Sequence, residues 1–248
     1  MISGGLLKDR NRVVQFIGVL LVVVGLKQFY STASVNELRW ILAPTTFLVE
    51  FISGKMFAFE SHAGYMSSDH KFVIAASCAG LNFLLTLFLL LTVRRLWIRG
   101  SRNWAFIPGA LAVAYVATLI TNTIRIVIAL WLHDSAFTLA GMNANAIHRV
   151  EGIVVYFTSL VLLYFLSEAF ERMRQRDIPV SPLHIVRMSC LPLLVYYVTT
   201  LVMPLTNGAF RNEEFWWHAL FVLVVPLCVL ASLVGVTSLV SRKKACGI

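Results

Sequence analysis

The stretch LNFLLTLFLLLTVRRLW, Leu81 to Trp97, carries no charge as far as Val93 and then stops on Arg94-Arg95. A bilayer core of roughly 30 Å needs about 20 apolar residues in helical form. The polar groups inside this stretch, Asn82, Thr86 and Thr92, are small enough to be satisfied within a helix or by a neighbouring one. Working outward, the same reading applies to Val13–Phe29 before it and to Trp104–Ile124, Gly152–Phe170, Ile185–Pro204 and Phe215–Val240 after it. The whole chain agrees: of 248 residues, 58% are hydrophobic and 13% charged, with a mean hydropathy of +0.79. Soluble domains average roughly 45–50% apolar and about 25% charged residues, so a soluble globule is excluded. The expected fold is an all-α polytopic membrane protein of six transmembrane helices, forming a single transmembrane domain over 1–248.

Two segments do not read as spans. Trp40–Ile52 is short and contains Glu50, which suits a re-entrant or interfacial segment. Gly54–Ala76 mixes Phe57, Phe59, Tyr65, Phe72 and Val73 with Glu60, His62, Asp69 and His70. It is expected to be an outer-face loop region, a short hairpin lying on the membrane. The third span is expected to continue as an interfacial helix to Leu132. Ser31-Thr32-Ala33 resembles a signal-peptidase site, but Lys27 breaks its join to the apolar run, and a retained anchor is expected.

Charge sets the sidedness. With six spans and both termini inside, fourteen of the 21 Lys and Arg residues fall in inner segments. If Trp40–Ile52 crossed as well, the Arg94–Arg102 and Arg172–Arg176 clusters would lie outside, against the positive-inside rule. The net charge of +9 is therefore a topology signal, and no nucleic-acid partner is expected. The chain is placed in the cell membrane as a multi-pass protein with both termini cytoplasmic.

That topology gathers three residues at the outer leaflet. Cys78 opens the second span in Ser77-Cys78-Ala79-Gly80-Leu81, Arg125 ends the third in Asn122-Thr123-Ile124-Arg125, and His148 precedes the fourth in His148-Arg149-Val150-Glu151-Gly152. A thiol at a helix N-terminus meets unpaired N–H groups and the positive end of the dipole, a setting that activates sulfur as a nucleophile. His148 would complete a Cys–His pair. Arg125 and Asn122, three apart on one helix face, supply donors for an oxyanion or a carboxylate. Gly80 and Gly152 permit close approach of backbone or substrate.

Each residue also has a bland reading: Cys is common in apolar helices, His148 sits in a loop, and Arg can snorkel from a helix end. An arginine at membrane depth is the hardest to dismiss. Other constellations are weaker. Glu60, His62, Asp69 and His70 match no ligand spacing, so neither metal nor cofactor is expected. His148 and Glu151 resemble half of a di-metal bundle site without its second half. Cys190 and Cys228 lie in apolar runs, Cys246 is in the basic tail, and Trp216-Trp217-His218 suits an interfacial belt.

At these residues the chain resembles the exosortase/archaeosortase family of membrane cysteine transpeptidases, whose motifs are C-x-G-hydrophobic, N-x-x-R and H-x-x-x-G. The three occur in that order over 57–170, while the two further spans in 183–240 match only as generic hydrophobic helices. Ala79 and Asn82 stand where many members have a serine and a basic residue, which makes the chain most like the exosortase K branch, and the Pro-Glu-Pro recognition motif is not carried over. The resemblance implies catalytic Cys78, Arg125 and His148, supported by Gly80, Asn82, Asn122 and Gly152, with the active site on the outer face. Its substrate would be an exported protein whose C-terminal sorting signal comprises a motif, a transmembrane helix and a basic cluster. A lipid or surface-glycan acceptor would take the acyl group from a thioacyl enzyme, while water as acceptor would make a protease. The alternative class is a membrane transporter or scaffold using Arg125 and His148 for substrate or protons, with Cys78 dispensable.

Overall fold

The computed structural model describes residues 3–99, 103–135, 144–173, 182–206, 211 and 213–245. Among these, six helical segments are long and apolar enough to cross a membrane: Arg10–Thr32, Ala76–Trp97, Phe106–Asp134, Ala146–Phe170, Met188–Leu205 and Phe215–Val236. The all-α polytopic membrane architecture follows. The chain packs as two compact units, Met1–Phe137 and Thr138–Ile248, and the stretch 57–170 is shared between them.

In the first unit, α1 (Ser3–Thr32) and α4 (Phe106–Asp134) both pack on α3 (Leu81–Arg99). α3 is covered all round: Phe83, Leu84, Leu85, Leu87, Phe88 and Leu90 are buried. Helices apolar on every face belong at the centre of a bundle or in lipid. Its hydroxyls bond their own backbone, Thr86 donating to the Asn82 carbonyl at 2.7 Å and Thr92 to that of Phe88 at 2.8 Å. That keeps them satisfied where water is absent. The outward faces of α1 and α4 are apolar, with Leu21, Val24, Val116 and Ile120 each more than half exposed, as lipid contact requires.

The third span does continue past Ile124. α4 runs unbroken to Asp134, about 43 Å at 1.5 Å per residue and two residues beyond the expected Leu132. Apolar side chains at Ile126, Ala129 and Leu130 are buried along this extension, and packing on that face keeps the helix going.

The short segment Trp40–Ile52 forms α2 (Arg39–Ser53), about 22 Å long and so too short for a span. Ile41, Leu42, Thr45, Thr46 and Val49 make its buried stripe, while Phe47 and Phe51 are exposed. It packs along α4. Trp40 stacks on Tyr115 at 5.6 Å, and Lys55, just past the end of α2, pairs with Asp134 at 2.8 Å. Both contacts run in the same direction along the two helices. Pro44 lies inside α2 and has no N–H for the Trp40 carbonyl four residues back. The Tyr115 hydroxyl donates to that carbonyl instead, at 2.8 Å. Gly54, at φ 70°, caps the C-terminus with its N–H on the Glu50 carbonyl. The Glu50 carboxylate accepts the Phe57 N–H at 2.7 Å, which explains an acid in an otherwise apolar segment.

The expected hairpin is a three-stranded antiparallel meander, β1 (Phe57–Glu60), β2 (Gly64–Ser67) and β3 (Val73–Ile74), in the order β1-β2-β3. Phe57 pairs with Ser67, Tyr65 with Ile74 and Met66 with Val73. Arg39 lies over the Phe59 ring at 4.5 Å, tying the sheet to the start of α2. Gly64, at φ 121°, sits where a Cβ would strike the Ile74 carbonyl oxygen. In the β2–β3 turn, Asp69 accepts the Ser67 hydroxyl at 2.6 Å and the Lys71 N–H at 3.2 Å. These bonds, with Lys55 and Lys71 nearby, hold its carboxyl below the usual carboxylate range.

The second unit contains α5 (Ala144–Met173), α6 (Pro182–Tyr197), a π-helical turn Val198–Val202, α7 (Met203–Thr206) and α8 (Glu213–Ala245). α5, α6 and α8 pack pairwise. Phe157 meets Tyr196 edge-on at 5.4 Å, and the Tyr197 hydroxyl donates to the Leu223 carbonyl at 2.9 Å. α8 turns Trp216, Trp217, Leu220 and Leu227 outward.

Candidate functional site

The thiol-bearing turn is built by a conflict between strand and helix. The chain leaves β3 extended, with Ala75 at φ −82° and ψ 175°. It then makes one 3-10 turn, Ala76–Ala79, closed by Gly80 at φ 71° before α3 begins at Leu81. Cys78 therefore stands on its own turn ahead of α3 rather than in the helix's first turn. Its N–H donates to the Ala75 carbonyl at 2.8 Å, and the residue is partly exposed.

Gly80 is required twice. Its left-handed backbone strains any L side chain, and a Cβ there would lie 3.1 Å from Asn122 Cγ and 3.2 Å from Thr118 Cγ2. The turn is thus pressed against one face of α4. From that face the Asn122 amide donates to the Cys78 carbonyl at 2.6 Å, fixing the turn that carries the sulfur.

Arg125 lies on the same α4 face, three residues beyond Asn122. It is 9% exposed, while Thr118 and Asn122 are fully buried. A buried guanidinium inside an apolar bundle is costly and marks a functional position by default.

α1 brings two groups that sequence spacing did not single out. The Tyr30 hydroxyl is within electrostatic reach of both Cys78 and Arg125. Lys27 donates to Asn82 Oδ1 at 2.8 Å and lies 5.4 Å from the Tyr30 ring centroid. Lys27 and Tyr30 are three apart on a helix, hence on one face. That spacing was the available signal, but a lysine and a tyrosine near a span end also read as an interfacial anchor. Asn82, expected as a supporting residue, is the group through which Lys27 holds the first turn of α3.

His148 and Gly152 belong to the second unit, on α5. His148 Nδ1 faces Glu151 Oε2 at 3.6 Å, with the His148 side chain 44% and that of Glu151 6% exposed. The acid one turn away is within ion-pairing distance of the imidazole and beyond hydrogen-bond range. The sequence suggested these two as half of a metal site, and the structure pairs them with each other. Among the described residues no three His, Cys, Asp or Glu side chains gather around a common point. Gly152 is buried beside Glu151.

Within the first unit the fold thus unites Cys78, Gly80, Asn82, Asn122 and Arg125 and adds Lys27 and Tyr30. Within the second it pairs His148 with Glu151. A partly exposed thiol with an amide and a buried guanidinium on the helix behind it is a set of groups that suits addition to a carbonyl and stabilisation of the resulting oxyanion. No family model, curated protein or solved structure matches this chain.

Proposed function

We propose that this chain is a membrane-embedded cysteine transpeptidase or protease of the exosortase type, acting on the C-terminal sorting tails of exported proteins. The observation that carries the proposal is the Cys78 turn. It is a partly exposed thiol on a turn locked by Gly80 and by the 2.6 Å bond from Asn122, with Arg125 buried on the same face of α4.

The Cys78 thiol gives its proton to His148 and its sulfur adds to the peptide carbonyl at the junction of motif and tail. Arg125 stabilises the developing oxyanion. The bond to the leaving amine breaks, His148 protonates that amine, and a thioacyl enzyme remains. Glu151 keeps the imidazole oriented for this transfer. An amine or hydroxyl of a surface lipid or glycan then attacks the thioester, its proton passing through His148 to the released sulfur, while water in its place gives a free carboxylate. The bilayer holds a tailed substrate and the site at one depth, which lowers the cost of positioning them. In this reading the site faces the outside of the cell membrane and both termini face the cytoplasm.

The test compares the C-terminal peptides of all exported proteins by mass spectrometry in cells carrying native chain or Cys78→Ala. Loss of a hydrophobic-basic tail only with native Cys78 supports the proposal. A mass adduct at the new terminus identifies a transferase and a free carboxylate a protease. Unchanged termini while tailed proteins are expressed overturn the proposal and favour a transporter using Arg125 and His148.

A further inference from the structure

Among the described residues, the sheet beside the thiol has an outer edge with backbone groups left unbonded. β3 is the outer strand of the order β1-β2-β3. Antiparallel strands alternate residues whose N–H and C=O face the partner with residues whose groups face away. The Ser67 N–H donates to the Phe72 carbonyl at 2.9 Å, so Phe72 faces β2, and so does Ile74 two residues on. Val73 and Ala75 therefore direct their backbone groups to the open side. The Ala75 carbonyl is taken by the Cys78 N–H. Among the described residues, the Val73 N–H, the Val73 carbonyl and the Ala75 N–H have no partner.

This edge runs straight into the thiol. Ala75 continues the extended backbone of β3, and Cys78 follows three residues later, at most about 10 Å along the chain. Neither Val73 nor Ala75 carries charge, and no proline guards the edge, although exposed edges are commonly protected by such residues.

We propose that the open edge of β3 receives an extended peptide, the segment preceding the membrane helix of a tailed protein, as an added fourth strand, and delivers its carbonyl to Cys78. The inference rests on Cys78 being the nucleophile. One peptide residue exchanges both backbone hydrogen bonds with Val73, and the carbonyl of its neighbour two residues away accepts from the Ala75 N–H. Recognition of this kind reads the backbone first and alternate side chains second.

Val73→Pro tests it. The substitution removes only the outward N–H, which the native fold leaves unbonded, and proline is tolerated at such edge positions. Tail processing is expected to fall about tenfold or more, while alkylation of Cys78 by a maleimide in isolated membranes stays at the native rate. Val73→Thr keeps the N–H and the branched side chain and is expected to process normally.

Native processing by Val73→Pro overturns strand addition. So does a change confined to oligomeric state, which would make a second copy the occupant. Should Val73→Pro also lose alkylation through misfolding, the native protein decides. A synthetic peptide matching the processed tail, with a C-terminal fluoromethyl ketone, is N-methylated one position at a time. Labelling of Cys78 blocked at every second residue supports strand addition, and labelling indifferent to N-methylation overturns it. The underlying reading fails separately, when Cys78→Ala leaves tail processing unchanged.

Discussion

α4 and α8 are both apolar helices of about thirty residues, yet they are built for different tasks. α4 buries Thr118, Thr121, Asn122, Thr123 and Arg125. In α8 the buried residues among those described are Ala219, Val222 and Pro226, none of them polar, while Trp216, Trp217 and Leu220 face outward. Hydroxyls on both helices turn back to their own backbone, Thr118 to Ala114 and Ser232 to Cys228. Only α4 uses a side-chain amide to hold another segment, at Cys78. Polar groups kept away from water persist where they are bonded. The contrast teaches that α4 is the helix on which the first unit gathers its buried polar groups, whereas α8 mainly offers an apolar outer surface.

The largest effect is expected at glycine. Gly80→Ala meets both a left-handed backbone and Asn122 at 3.1 Å, and should cost about 2 kcal/mol or more and displace the thiol. Gly235→Ala in α8 meets nothing within 4 Å and should be neutral or stabilising by about 0.5–1 kcal/mol. Unfolding in detergent micelles measures both, and equal effects would break the contrast.

Asn122→Ala removes the donor to the Cys78 carbonyl and should cost about 1–3 kcal/mol. Ser232→Ala should stay within about 0.5 kcal/mol. A matching loss at Ser232 would show that α8 is not merely a lipid-facing helix. Tyr115→Phe leaves the Trp40 carbonyl without the hydroxyl that replaces the missing Pro44 N–H, a loss of about 1 kcal/mol. It should appear as faster amide exchange in α2 with α3 unaffected.

The smallest effect is pH-dependent. Asp69 has its carboxyl held below the ordinary carboxylate range by Ser67 and Lys71. The stability it adds to the β2–β3 turn is fully present above the unfolded carboxylate pKa and is lost as pH falls through the lower folded value. Exchange of the Phe72 amide should rise over that acid window in native protein and show no such step in Asp69→Asn.

The spans were legible because lipid imposes its requirement on composition. Uncharged runs near twenty residues, with Arg94-Arg95 at one end, admit few other readings. The motif residues Cys78, Gly80, Asn122 and Arg125 were legible because each lies near the end of an uncharged apolar run. Lys27 and Tyr30 were not, since their role depends on partners such as Asn82, 55 positions away. The meander was harder to foresee than the helices, because strands of two to four residues leave hardly one period of alternation to detect.

Apolarity over a helix-length window is a local property, so the amino-acid order alone specifies a bundle of membrane helices and the ends at which polar chemistry collects. Three further features needed the folded chain: α2 running along α4, the Glu50 carboxylate turned onto Phe57, and the cysteine turn pressed onto Asn122. Each arises from a backbone group that its own segment cannot satisfy, the Trp40 carbonyl, the Phe57 N–H and the Cys78 carbonyl. Which distant side chain supplies the missing bond is settled by packing, because the cost of an unmet hydrogen bond in an apolar interior is decided in three dimensions.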